Sequence, residues 1–79
     1  MKLPATATLE ETAALAQALP AEIAAGSGVL TVDASALATF DSSAIALLSQ
    51  ARRLAQAVAR GFAVHGAPPK LAELAALYG

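Results

Sequence analysis

The sequence predicts an α/β fold, a mostly parallel sheet of about three to four strands with helices packed on it, in the order β-α-β-α-β-α. Three observations carry this. The apolar, partly β-branched run Val29-Leu30-Thr31-Val32-Asp33 lies between two helix-period segments. A second short apolar run, Phe62 to His65, separates the second helical segment from a third. Strands alternating with helices imply right-handed crossovers and parallel pairing.

Residues 2–7 alternate loosely, with Leu3, Ala5 and Ala7 on one face, and Pro4 demotes the segment to an edge strand or lead-in. Thr8-Leu9-Glu10-Glu11 has the spacing of a capping box. The helix behind it places Thr12, Leu15, Ala16, Leu19 and Ile23 at helical spacing, and Pro20 is expected to interrupt it after Leu19. Gly26-Ser27-Gly28 reads as a turn. Residues 29–33 show little alternation, so the strand is expected to be interior, and a short loop runs on to Phe40. Asp41-Ser42-Ser43 opens the longest helix, which is expected to reach Arg60, with Arg60 as its basic last turn and Gly61 as its C-cap. Residues 66–69 form a loop, and Lys70 to Tyr78 a last helix with Leu71, Leu74, Ala75 and Tyr78 on one stripe.

The chain has 79 residues, read as one domain over 1–79. A domain this small hides only about 60% of its unfolded surface. It contains 23 alanines and three aromatic residues, so its core is built from short side chains and would gain from a partner or from weak homodimerisation. A net charge of −1 creates no field toward nucleic acid. The absence of cysteine removes disulfides, cysteine-type zinc sites and thiol catalysis, and a single histidine removes histidine-rich metal sites. The opening MKLPATATLEE has no apolar stretch of a secretory signal, and no apolar run approaches the ~20 residues of a membrane span. The expected location is the cytoplasm.

No phosphate-cradling glycine loop is present, and no nucleophile–base or acid–base pair can be named. No catalytic residue, metal or cofactor is expected, and the chain is read as a non-enzymatic binding module. His65 lacks a motif partner and reads as an ordinary strand residue. Glu10 and Glu11 complement a helix dipole, and Glu22 and Glu73 read as solvated helix positions. Asp33 and Asp41 stand apart, because each falls near the C-terminal end of a strand region, where α/β folds place ligands and partners. One of Asp41, Ser42 and Ser43 caps the long helix. A phosphate on Ser42 would sit at the positive end of that helix.

At 100° per residue, Ala44, Leu47, Leu48, Ala51, Leu54, Ala55 and Val58 fall on the core face of the long helix. Ser42, Ser49, Arg52, Arg53, Gln56 and Arg60 fall opposite. Ile45 points out among Ser42, Ser49 and Arg52 and reads as a docking hot spot, or else as a plain surface position or a contact with a neighbouring loop.

The run from Val32 to Leu48 resembles the STAS signature: an apolar strand, Asp-Leu-Ser, a short loop, then Asp-Ser-Ser-Gly-Leu opening a helix. Here it reads Val32-Asp33-Ala34-Ser35, then Phe40-Asp41-Ser42-Ser43-Ala44-Ile45, with Ala34 for the leucine and Ala44 for the glycine. The strand at Gly61-Phe62-Ala63-Val64, the Pro68-Pro69 loop and the closing helix also sit where the family has them. The closing Leu74-Ala75-Ala76-Leu77-Tyr78 and the shortness of the chain are similar to the MlaB-like subunit of the phospholipid-trafficking ABC transporter of Gram-negative bacteria. That resemblance implies a regulatory or assembly subunit docked on the cytoplasmic ATPase, peripheral to the inner membrane through its partner. The implied contact is Asp41, Ser42, Ser43, Ile45, Ser49 and Arg52, supported by Asp33 and Ser35. A second branch, the anti-sigma-factor antagonists, implies instead that Ser42 is phosphorylated by a partner anti-sigma kinase. A third reading is a small-molecule or nucleotide sensor.

Overall fold

The computed structural model describes residues 1–78, with the backbone alone for Tyr78. Seven elements follow one another: β1 (Thr6–Ala7), α1 (Leu9–Ala24), β2 (Leu30–Asp33), β3 (Thr39–Phe40), α2 (Ser42–Ala57), β4 (Phe62–His65) and α3 (Pro69–Tyr78). β2 pairs with β4, and β1 with β3, both in parallel. The N-terminal segment joins the two pairs. Lys2 bridges to Asp33 in parallel, the Asp33 N–H donates to the Met1 carbonyl at 2.8 Å, and the Ala38 and Thr39 N–H groups donate to the Ala5 carbonyl. The N-terminal segment thus lies along β2 and then β3, and β4 lies on the other side of β2.

Residues 2–7 are the edge segment the sequence suggested, with one change. Leu3 and Ala7 are buried, but Ala5 is exposed. The chain bends at Ala5, just after Pro4, and the break resets the alternation. The loop expected before Phe40 contains β3, two residues long and too brief to show a period.

The strand read as interior has one buried face only. Leu30 and Val32 are buried while Thr31 is exposed. In-register pairing puts Phe62 and Val64 on the helix side, and Ala63 and His65 on the open side with Thr31 and Asp33. Val29, expected inside the strand, precedes it and is 59% exposed.

α1 runs through Pro20 to Ala24 instead of stopping at Leu19. Proline costs the helix one hydrogen bond and a steric adjustment. Leu19 and Ile23, one on each side of it along the chain, are both buried, and their packing holds the turn while the ring of Pro20 faces solvent. At the start, the Thr8 N–H and hydroxyl both donate to the Glu11 carboxylate, at 3.0 and 2.6 Å.

α2 ends at Ala57, three residues short of Arg60. Ala59 takes φ 59°, a left-handed conformation. Its N–H donates to the Gln56 carbonyl at 3.1 Å, and the Arg60 N–H to that of Ala55 at 2.8 Å, the bond pair of a Schellman cap. The expected cap at Gly61 is therefore built two residues earlier on an alanine. Val58, assigned to the core face, lies past the helix and is 57% exposed.

Among the described residues, five of the fourteen buried apolar ones are alanines, so α2 lies close against its neighbours through Ala44, Ala51 and Ala55. α1 packs along one flank of α2 and α3 along the other. Leu71 of α3 is buried, Leu74 half-buried and Ala75 exposed, while the side chain of Tyr78, assigned to the same stripe, lies outside the described residues.

Candidate functional site

The register Ala7↔Phe40 sets Thr8 and Asp41 side by side at one edge of the sheet, so α1 and α2 begin together. Asp41 is the N-cap of α2. Its Oδ1 accepts the Ser43 N–H at 2.9 Å and the Ser43 hydroxyl. The Ser43 hydroxyl and then its N–H hold the Asp41 carboxyl below the usual carboxylate range. Glu11 is lowered in the same way by Thr8, first through the hydroxyl and then through the N–H. Two N-terminal caps thus keep two ionised carboxylates next to each other.

The cap uses Asp41 and Ser43 and leaves Ser42 over. Ser42 is exposed, and among the described residues its hydroxyl takes no part in a side-chain hydrogen bond. Behind it, Ala46, Ser49, Arg52, Arg53 and Gln56 are exposed along α2, forming one ridge. Of the expected contact residues, the structure places Asp41, Ser42, Ser49 and Arg52 on or at the head of this ridge. Ser43 is half-buried on the flank facing α1.

Ile45 does not belong to it. It is 7% exposed and part of the core, at the floor of a shallow cleft of about 200 Å³ bounded by Leu48, Phe62, Val64 and Ala75, with Ser49 and Arg52 at the lip. The angular reading assumed a single buried face. α3 covers a second flank of α2 and widens the buried arc to include Ile45. The signal lay in the apolar stripe of the last helix, which needed a surface to cover.

Asp33 and Ser35 are also set apart from the ridge. The Asp33 Oδ1 accepts the Ser35 N–H at 2.9 Å, closing the turn after β2. Its carboxyl is lowered chiefly by Ser35, with Lys2 and His65 contributing. These three side chains form a row across the open face of the sheet, because Lys2, Asp33 and His65 are in-register partners. Gly66 fixes this corner. It takes φ 70°, and a Cβ there would stand 2.8 Å from that of Ser35.

The site therefore has a free hydroxyl at a helix N-terminus, a carboxylate committed to capping, and a ridge of small and basic side chains. It suits contact with another protein. Among the described residues, no group of three metal-ligating side chains occurs.

The family model described as "Mlab, STAS domain" matches residues 1–79. The chain belongs to the STAS domain family. No curated protein and no solved structure matches it. STAS domains are in general non-enzymatic binding modules, and membership supports a regulatory or assembly role. Among the described residues, no helix of this STAS domain is long and apolar enough to cross a membrane. Arg53 and Gln56, expected on the exposed face but not among the contact residues, belong to the ridge, and Ala46, which the angular reading did not place, joins them. Alanine carries no functional signal by itself, and an exposed basic residue on a helix is commonly only solubilising charge.

Proposed function

We propose that this STAS domain is a regulatory or assembly subunit that docks through the exposed ridge of α2 on the cytoplasmic ATPase of an MlaB-type phospholipid ABC transporter. The observation that carries the reading is the free Ser42 hydroxyl at the head of the ridge, in a chain matched over its whole length by an MlaB-type family model. Asp41 holds the first turn rigid through Ser43, so Ser42 is presented in a fixed place. Ser42, Ala46 and Ser49 are small enough to let a partner's backbone approach closely. The domain would sit at the inner membrane through that partner, and lipid movement would be the work of the assembled transporter.

A second reading draws on the same hydroxyl. In an anti-sigma-factor antagonist, Ser42 would be phosphorylated by a partner kinase, and the new charge beside Asp41 would release the complex by like-charge repulsion and desolvation. The decisive experiment is affinity purification of the tagged chain from detergent-solubilised cells of its source, with stoichiometric partners identified by mass spectrometry. Recovery of an ABC ATPase with its permease supports the transporter reading. Recovery of a soluble serine kinase, with no membrane protein, overturns it in favour of the switch.

A further inference from the structure

The ridge of α2 carries opposite charge at its two ends. Its head holds the exposed Asp41, with the half-buried Glu11 of α1 near enough to sense its charge. Its far end holds Arg52 and Arg53, both exposed. Between Ser42 and Ala57 the helix contains no carboxylate, so neither arginine has an acidic neighbour one turn away on α2. Arg60, by contrast, commits its guanidinium to backbone carbonyls. From Ser42 to Arg53 the ridge is roughly 16 Å long.

Such a surface is complementary to itself. Two copies laid antiparallel put the acidic head of each against the arginines of the other, satisfying both ends at once, as an isologous interface requires. The antiparallel arrangement also opposes the two helix dipoles favourably. The midpoint falls between Ala46 and Ser49, where the side chains are shortest and the helices can come nearest.

We propose that α2 is a self-association surface, with two copies of the chain packed α2 against α2, antiparallel, about a twofold axis near Ala46 and Ser49. The dimer covers Ser42, so self-association competes with any partner that uses this ridge. The pairing itself does not depend on which partner that is. The interface is small and charge-rich, and therefore weak and salt-sensitive.

The test uses the purified chain alone. Sedimentation equilibrium is expected to show a reversible dimer whose association constant falls at least about tenfold between about 50 and about 500 mM salt. Arg52→Glu with Arg53→Glu, both at exposed positions, is expected to give a folded monomer by circular dichroism and sedimentation. Because the chain has no cysteine, Ala46→Cys is expected to form an intermolecular disulfide much faster than Thr31→Cys on the open sheet face. A chain that stays monomeric at every salt concentration, with equal disulfide rates at the two positions, overturns the proposal. So does a dimer indifferent to the double charge reversal.

Discussion

The guanidinium of Arg60 donates a hydrogen bond at 2.8 Å to the carbonyl of Ile23, thirty-seven residues earlier and in the last turn of α1. It also reaches the Gly28 carbonyl at 3.0 Å. α1 has no basic residue in its own last turn, so Arg60, three residues beyond the end of α2, supplies the positive charge that its C-terminus lacks. One planar group fastens the end of α1, the turn before β2 and the exit of α2. Arg60→Ala is expected to lower unfolding stability by about 2 kcal/mol, since hydrogen bonds to charged groups contribute more than neutral ones. Arg60→Lys is expected to recover less than half, because an ammonium on a flexible stem cannot reproduce the fork. Urea denaturation, with α-helical circular dichroism as the signal, measures both.

Ala59 holds its left-handed conformation at the cost of a crowded Cβ. Ala59→Gly is expected to raise stability by about 1 kcal/mol, while Ala59→Val lowers it. The midpoint of urea unfolding decides. An unchanged or lower midpoint for the glycine variant would mean that the cap is not strained.

Ile45 separates core from contact. Ile45→Ala is expected to cost about 2–4 kcal/mol through the cavity it leaves between α2 and α3. Ile45→Asp is expected to unfold the domain, since total stability at this length is only about 4–12 kcal/mol. A folded Ile45→Asp chain by circular dichroism would return Ile45 to the surface.

Ser42→Glu is expected to leave the melting temperature unchanged or slightly higher, because a negative charge at the start of a helix is favourable. Under the proposed function it reduces recovery of the partner ATPase, while Ser42→Ala has a smaller effect. Equal recovery of wild type and Ser42→Glu at matched expression would remove Ser42 from the contact.

Glu11, Asp33 and Asp41 all titrate below their ordinary values when folded. A depressed carboxyl binds its proton more weakly in the folded state. Its contribution is therefore complete above the unfolded values of 4.5 for Glu11 and 3.8 for the aspartates, and is lost as the pH falls through the lower folded ones. Stability is expected to be flat near neutrality and to fall on the acid side of that window. Asp41→Asn keeps a good N-cap and removes one titrating group. It is expected to match wild type at pH 7 and to lose less stability at low pH, as read from thermal melts over a pH series.

The element order apart from the two-residue β3, the Thr8–Glu11 cap, the Asp41 opening of α2 and the two main strands were legible in the sequence, because each is a local matter. Capping needs partners two or three residues apart, and a period shows itself within a few turns. The STAS resemblance was legible for the same reason, since its motif is one contiguous strand, loop and helix start.

Tertiary structure decided the rest. Whether Ile45 is buried depended on where α3 lies, and whether Thr31 is exposed depended on helices covering one face of the sheet only. Pro20 stays helical because Leu19 and Ile23 are packed, and Arg60 serves α1 because the ends of α1 and α2 meet. Of the three residues that open α2, the sequence required that one cap the helix. The fold assigned that task to Asp41 with Ser43 and left Ser42 free, because a cap needs only one carboxylate aimed back at the first turn, and the hydroxyl left unused faces solvent.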